Sequence, residues 1–227
     1  MHYIRCYVLY FLERWQINEV RIKIFIKMVT ATNESNMQMM KRYEDNYFDL
    51  AIVDPPYGID INSSGTHFKE KYEVKDWDKN TPDDEYFKEL MRVSKNQIIW
   101  GGNYFLDRLG NCKCFIVWDK KIAEDMSFAM CEMAWTSFKN GAKIYKTTAM
   151  QQNRIHPTQK PIALYEWLLM RYAKEGDKIL DTHRGSGSLD IACHNLGYDL
   201  VTCEIDEQYF KDANERLRVH QSQLVMF

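Results

Sequence analysis

The chain has 227 residues, with 30 Lys+Arg against 32 Asp+Glu, 45% apolar residues and 27% charged ones. That is one domain with modest elaborations and an ordinary core; a disordered tail, a collagen-like fibre and a disulfide mini-protein are excluded. A net charge of −2 leaves a nucleic-acid partner open, because local charge decides that contact.

Residues 1–28 form a basic, aromatic extension. Its apolar run Cys6–Leu12 is too short to span a bilayer, and Glu13 and Arg14 follow it. No small-residue cleavage site follows either, so no signal peptide is expected. Val20–Met28 sets Arg21 and Lys23 against Ile22, Ile24 and Ile26, the alternation of a strand. The extension reads either as genuine or as an over-long frame whose true start is Met28. Residues 29–227 are expected to form a single domain. The six cysteines lack a C-x-x-C pair, and Cys112 and Cys114 stand at strand spacing. They read as reduced thiols of a cytoplasmic protein, with no metal site.

From Asn46 onward strand-like runs alternate with amphipathic helices. Leu50–Val53 is a short apolar strand stopped by Asp54-Pro55-Pro56. Thr81 is expected to cap a helix opening at Pro82, with Asp83, Asp84 and Glu85 in its first turn. QIIWGGN, CFIVWDK and AMCEMAWTSF read as three further strands. A helix is expected from Pro161 to Gly176, followed by the strand of KILD and a Gly-rich turn. A helix from about Leu189 to Leu196, capped by Gly197, leads to the strand DLVTCEID and a last helix, Glu207–Val219. Apolar strands separated by helices predict a mostly parallel α/β sheet covered on both faces.

Ligands of such sheets bind at the carboxyl ends of strands, and three segments there carry chemistry. In Asp181–Ser188, DTHRGSGS, two glycines let a ligand approach the backbone; the plain alternative is a tight strand–helix turn. Glu204, at the end of the next strand, is placed to accept from two ribose hydroxyls, which points to an adenosine-containing cofactor. In Asp54-Pro55-Pro56-Tyr57-Gly58 the prolines hold the Asp54 and Pro55 carbonyls rigidly, and Tyr57 adds a flat face. Acceptors around a planar group suit an exocyclic amine on a nucleobase; the alternative is a rigid turn with a solvent-facing Tyr. In His156–Pro161, HPTQKP, a hydroxyl, an amide and a cation before a helix suit a carboxylate.

These segments resemble the amino-methyltransferases that act on DNA with S-adenosylmethionine, the group carrying a DPPY or SPPY tetrad. DPPY first, then HPTQKP, then the Gly-rich loop is the permuted order of the beta class. The resemblance covers Thr30 to Arg218 and rests on DPPYG, GGNYF, HPTQKP, GSGS and CEID. It implies a Rossmann-like methyltransferase fold with circularly permuted motif order. It implies that Asp181, Gly185, Ser186 and Gly187 cradle the methionine end of the cofactor, that Glu204 holds the ribose, and that Thr158 and Lys160 lie near the carboxylate. Asp54, Pro55, Pro56 and Tyr57 are then the residues that hold the target base. The chain departs from the family pattern at Thr182-His183, where Pro-Phe is common, at Arg184, where an aromatic or aliphatic residue is usual, and in TATNESN at Ser35, where an acid is usual.

The implied activity is site-specific transfer of a methyl group to the exocyclic amine of a flipped base in double-stranded DNA, with no membrane partner. Adenine N6 is favoured, on Asp54 and on the area of Tyr57. Cytosine N4 and a catalytically inactive DNA- or cofactor-binding module are the alternatives. RNA or protein substrates are disfavoured by the motif order, and a nicotinamide dehydrogenase by the missing third glycine. A minimal DNA-contacting insert is expected around residues 139–160, where Lys139, Lys143, Lys146 and Arg154 meet no acid and Gln151, Gln152 and Asn153 are available for base edges. A solvated basic loop is the plain alternative. Monomer and homodimer both remain open.

Overall fold

The structure, a computed structural model, describes residues 28–60, 77–124, 126, 129–150 and 154–223. The strand expected over Val20–Met28 lies outside them except for Met28, as do Gln151, Gln152 and Asn153. One eight-stranded sheet contains β1 (Val29–Asn33), β2 (Leu50–Val53), β3 (Gln97–Trp100), β4 (Phe115–Asp119), β5 (Cys131–Thr136), β6 (Lys143–Lys146), β7 (Lys178–Asp181) and β8 (Asp199–Glu204). Their order is β1-β8-β7-β2-β3-β5-β4-β6. All neighbours are parallel except around β5, which runs antiparallel between β3 and β4.

Strands buried on both faces read as nearly continuous apolar runs, and the sheet's centre follows this: every residue of β2 and β3 is buried, and Gln97 alone among them is polar. Successive side chains point to opposite faces. Leu50 and Ile52 join Ile98, Trp100, Ile116 and Trp118 in one core. Leu164, Leu168 and Leu169 of α4 (Ile162–Tyr172) and Leu189 and Ala192 of α5 (Ser188–Leu196) cover it. Ala51 and Val53 join Ile99 and Leu180 on the other side. There the cover is Met39 and Met40 of α1 (Asn36–Met40) with Tyr86, Phe87, Leu90 and Val93 of α2 (Asp84–Val93). A 3-10 turn at Gly102–Tyr104, a short α3 (Leu106–Leu109) and the last helix, α6 (Glu207–Gln223), complete the described elements.

Several boundaries differ from expectation. Helix α2 opens two residues later than predicted: the Asp83 carboxylate accepts from Tyr86 N–H at 2.9 Å and caps it, while Thr81 Oγ1 accepts from Arg108. Helix α4 starts at Ile162 with Pro161 as its cap and ends at Tyr172, well before Gly176. Strands β1 and β6 were not expected; both lie at the sheet's edges, where one-sided pairing relaxes the demand for apolar sequence. Cys112 and Cys114 both precede β4 rather than alternating within it.

Candidate active site

Four consecutive parallel neighbours, β1, β8, β7 and β2, end at one edge of the sheet, so the residues after them converge on one cavity of about 860 Å³. Glu34 follows β1, Glu204 ends β8, Thr182–Ser186 follow β7 and Asp54 follows β2; all line the cavity. Asp181 and Gly187 do not face it. Asp181 is buried, and its Oδ1 accepts from His183 N–H at 2.9 Å. Burial pushes its carboxyl well above the ordinary range, and Asp190 and Asp54 add to this.

The Gly-rich turn is held from several sides. Gly187, at φ 67°, is the N-cap of α5, and a Cβ there would lie 3.0 Å from Asp190 Oδ2 and 3.2 Å from Ala213 Cβ. Gly185 N–H donates to Glu204 Oε2 at 2.9 Å, and Asp206 N–H donates to Glu204 Oε1 at 2.9 Å. Burial raises the Glu204 pKa although both amides oppose it. Arg184, whose position raised a question in sequence, turns away beneath the loop. Its Nε donates to Asp190 Oδ2 at 2.7 Å, and neither side chain is exposed. Arg216 Nη1 donates to Ser186 O at 2.7 Å and Ser188 Oγ at 2.9 Å.

The Thr182-His183 departure builds a polar chain. Asn36 Nδ2 donates to His183 Nε2 at 3.0 Å, which leaves the ring proton on Nδ1 to donate to Thr182 Oγ1 at 2.9 Å. Thr182 Oγ1 is also 2.7 Å from Tyr86 OH. Burial pulls the His183 pKa down to about 3, so the ring is neutral. Ser35 is occupied in capping α1, its Oγ accepting from Gln38 N–H. The acid in this segment is Glu34, gripped by both Arg42 nitrogens at 2.5 and 2.6 Å and held down to about 2 by them.

At the end of β2, Asp54 has both oxygens engaged. Tyr57 OH donates to Oδ1 at 2.6 Å and Lys160 Nζ to Oδ2 at 2.5 Å. Asp78 clamps the turn by accepting from Tyr57 N–H at 2.7 Å and Gly58 N–H at 3.2 Å. The Tyr57 ring does not face solvent. It stacks on Tyr104 with centroids 5.1 Å apart, and it lies so close over Gly101 that a Cβ there would run into it. Pro56 lines the cavity; Pro55 is buried and Tyr57 does not line it.

Thr158 and Lys160 both face the cavity. Thr158 N–H and Oγ1 lie 3.3 and 3.1 Å from His156 Nδ1. Lys160 is 2% exposed, and besides Asp54 it reaches Glu132 at 3.0 Å and the Tyr57 hydroxyl at 3.2 Å. Of the basic stretch, Lys139 is exposed, and Lys143 and Lys146 fall on opposite faces of edge strand β6. Lys143 shares a face with Tyr145, which stacks on Trp167, while Lys146 meets Asp119 at 3.4 Å. Arg154 folds back to donate to the Pro157 carbonyl.

Sequence reasoning missed Glu132, Lys120 and two rings of the cavity wall, Trp77 and Tyr209; His156, the first residue of HPTQKP, supplies a third ring. Cys203 also lines the cavity, and burial holds its thiol far above the ordinary range.

A family model described as DNA methylase, covering N6 and N4 methyltransferases, matches residues 99–215, more than half of the chain. The type II methyltransferase M.HpaI of Haemophilus parainfluenzae is 44% identical over 62 residues, 27% of this chain and 20% of its own length. The match thus spans about a fifth of that relative. The structure of the M1.HpyAVI–SAM complex superposes with a TM-score of 0.58 at 20% identity, covering 84% of this chain and 99% of the other. PvuII DNA methyltransferase, cytosine-N4-specific, gives a TM-score of 0.58 at 9% identity, covering 86% and 93%. At these identities the likeness establishes a shared fold.

Proposed function

Because the chain belongs to the N6/N4 DNA methylase family, we propose that it transfers a methyl group from S-adenosylmethionine to adenine N6 in double-stranded DNA. The observation that supports this most is that Asp54, an acceptor for an amine, faces the same cavity as the Gly-rich turn and Glu204. The cavity's size suits a cofactor. Gly185 stands at φ 50°, a left-handed conformation that favours glycine, and a Cβ there would meet the His156 ring at 3.8 Å. Each Glu204 oxygen accepts one backbone N–H and keeps a second lone pair for a ribose hydroxyl. Among the described residues, no helix is long and apolar enough to cross a membrane.

S-adenosylmethionine, when bound, supplies an electrophilic methyl group. The chain's part is to hold the base and make its amine nucleophilic. A base must leave the duplex to reach this cavity. Its amine lone pair is delocalised into the ring; accepting its N–H groups at Asp54 and at the Pro55 carbonyl draws the nitrogen toward tetrahedral geometry and aims the lone pair. These acceptors then face a nitrogen that becomes positive. The Tyr57 hydroxyl now sits on Asp54 Oδ1, where the incoming amine takes its place. Trp77 adds its ring to the cavity wall. Adenine is preferred over cytosine on Asp54 alone; the fold does not discriminate, because a cytosine-N4 enzyme shares it. Digestion of the methylated DNA to nucleosides is expected to yield N6-methyladenine; N4-methylcytosine would overturn the base assignment.

Two expected results test the binding roles. Glu204→Ala weakens S-adenosylmethionine binding measured by calorimetry, by roughly 1.5–3 kcal/mol for each charge-assisted bond lost. An unchanged dissociation constant removes Glu204 from the ribose site. For DNA, the proposed phosphate contacts are Lys139, Lys143, Lys146 and Arg154. Since β6 turns Lys143 and Lys146 to opposite faces, they do not share one phosphate track. The Lys143→Ala/Lys146→Ala variant is therefore expected to flatten the salt dependence of DNA affinity by about 0.9, one contact rather than two. An unaltered slope places the footprint elsewhere.

A further inference from the structure

The groups around Asp54 form a chain of alternating charge that extends away from the cavity. Lys160 Nζ lies 2.5 Å from Asp54 Oδ2 and 3.0 Å from Glu132 Oε2, and Lys120 Nζ lies 2.6 Å from Glu132 Oε1. The residues come from four places in the fold: the ends of β2 and β4, the start of β5, and the turn before α4. The direction of β5 explains how Glu132 gets there. An antiparallel strand begins at the edge where its parallel neighbours end, so the second residue of β5 reaches the same edge as Asp54. Trp100 and Tyr57 hold the ammonium from the sides, their ring centroids 5.3 and 5.7 Å from Nζ.

A lysine seated on Asp54 alone would drain the carboxylate of the acceptor strength that an amine needs. A second carboxylate on the same ammonium divides that charge. We propose that Glu132, pinned by Lys120, is a positioning residue that shares the Lys160 ammonium with Asp54 and so leaves the Asp54 carboxylate a stronger acceptor, open to the incoming amine. The inference rests on the methyl-transfer reading of the site.

The two carboxylates are not equivalent. Partial burial raises the Glu132 carboxyl, yet Lys160 and Lys120 outweigh it and hold the group down to about 2. Asp54 has only the shared lysine; burial raises it, Lys160 lowers it and Glu132 raises it, and the net direction is up. Tyr57, Tyr165 and Tyr86 and the Asp181 carboxyl also face it. Asp54 is thus the carboxylate that takes a proton first as pH falls. In Glu132→Gln, the opposing anion is gone and Lys160 settles on Asp54 alone. The acid limb of the rate profile then moves to lower pH, while the plateau falls.

The test is the pH profile of single-turnover methyl transfer to duplex DNA. For Glu132→Gln we expect the acid limb to move down by about one pH unit or more and the plateau to fall about tenfold, with cofactor affinity by calorimetry unchanged. Glu132→Asp restores part of the plateau. Where Glu132→Gln does not fold, Glu132→Gln/Lys120→Met removes one charge of each sign and gives the same displacement. A wild-type limb retained in either variant overturns the proposal. Absence of methyl transfer in the wild-type protein overturns instead the reading on which it rests.

Discussion

Asp54→Ala lowers methyl transfer by about a thousandfold or more while S-adenosylmethionine affinity stays close to that of the wild type. The cofactor side of the cavity is built from the turn after β7 and from Glu204, neither of which hydrogen-bonds to Asp54, so the alanine removes no group from that cradle. What it removes is the one carboxylate of the Asp54–Tyr57 turn and the counter-charge of a buried lysine. The amine then loses both its orientation and the partner for its developing positive charge. Asp54→Asn separates these effects: it keeps the shape but presents an N–H pair or a weaker carbonyl acceptor, and it is expected to be nearly as slow. The pH dependence has a definite sign. Transfer requires the ionised carboxylate, whose pKa lies above the ordinary value of 3.8, so the wild-type rate is complete on the alkaline side and is lost as pH falls through that raised value. The Ala variant has no carboxylate here to titrate, and its residual rate does not follow that limb. Single-turnover kinetics with a labelled methyl group, alongside calorimetry, measures both quantities. An Asp54→Ala protein that transfers at the wild-type rate excludes the mechanism.

The sheet's centre was legible because burial on both faces leaves no choice of residue: LAIV and QIIW cannot be anything but interior. Its edges were not. VTATN in β1 reads as a loop, and KIYK in β6 reads as part of a basic linker, because neither needs a continuous apolar run. The same logic governs the site. Looking just after each strand located Asp54, the Gly-rich turn and Glu204, since their strands are parallel neighbours. It missed Glu132, which stands at the start of a strand, because strand direction is a property of pairing and not of local sequence. The orientation of Tyr57 was equally hidden. Its ring is fixed by Gly101, Tyr104 and the Asp54 carboxylate, three partners that only the folded sheet brings together.

Arg184 shows how an unusual residue in a cofactor loop is accommodated, and it carries the largest expected effect on stability. Its side chain and that of Asp190 are wholly buried, and the guanidinium also lies over the Phe210 ring at 5.3 Å. The pairing is incomplete: Arg184 Nη2 and Asp190 Oδ1 have no hydrogen-bond partner among the described residues. Removing one partner leaves an uncompensated buried charge, whereas removing both leaves none. Asp190→Ala and Arg184→Met are therefore each expected to lose roughly 3–5 kcal/mol, a Tm lower by roughly 6–20 °C. The double variant Arg184→Met/Asp190→Leu is expected to recover most of this, because a thioether packs on Phe210 and a leucine occupies the volume beneath Gly187. Calorimetric melting of the three variants decides the matter, and a single variant as stable as the wild type refutes it. Cofactor affinity in the double variant then separates two roles of the pair. Gly185 keeps its bond to Glu204, and Arg216 keeps its bond to Ser186 O, so the turn retains two of its supports. If these suffice, affinity is preserved and Arg184 serves only to fill and neutralise the space under the loop. A loss of affinity without a loss of stability shows instead that the ion pair itself shapes the turn.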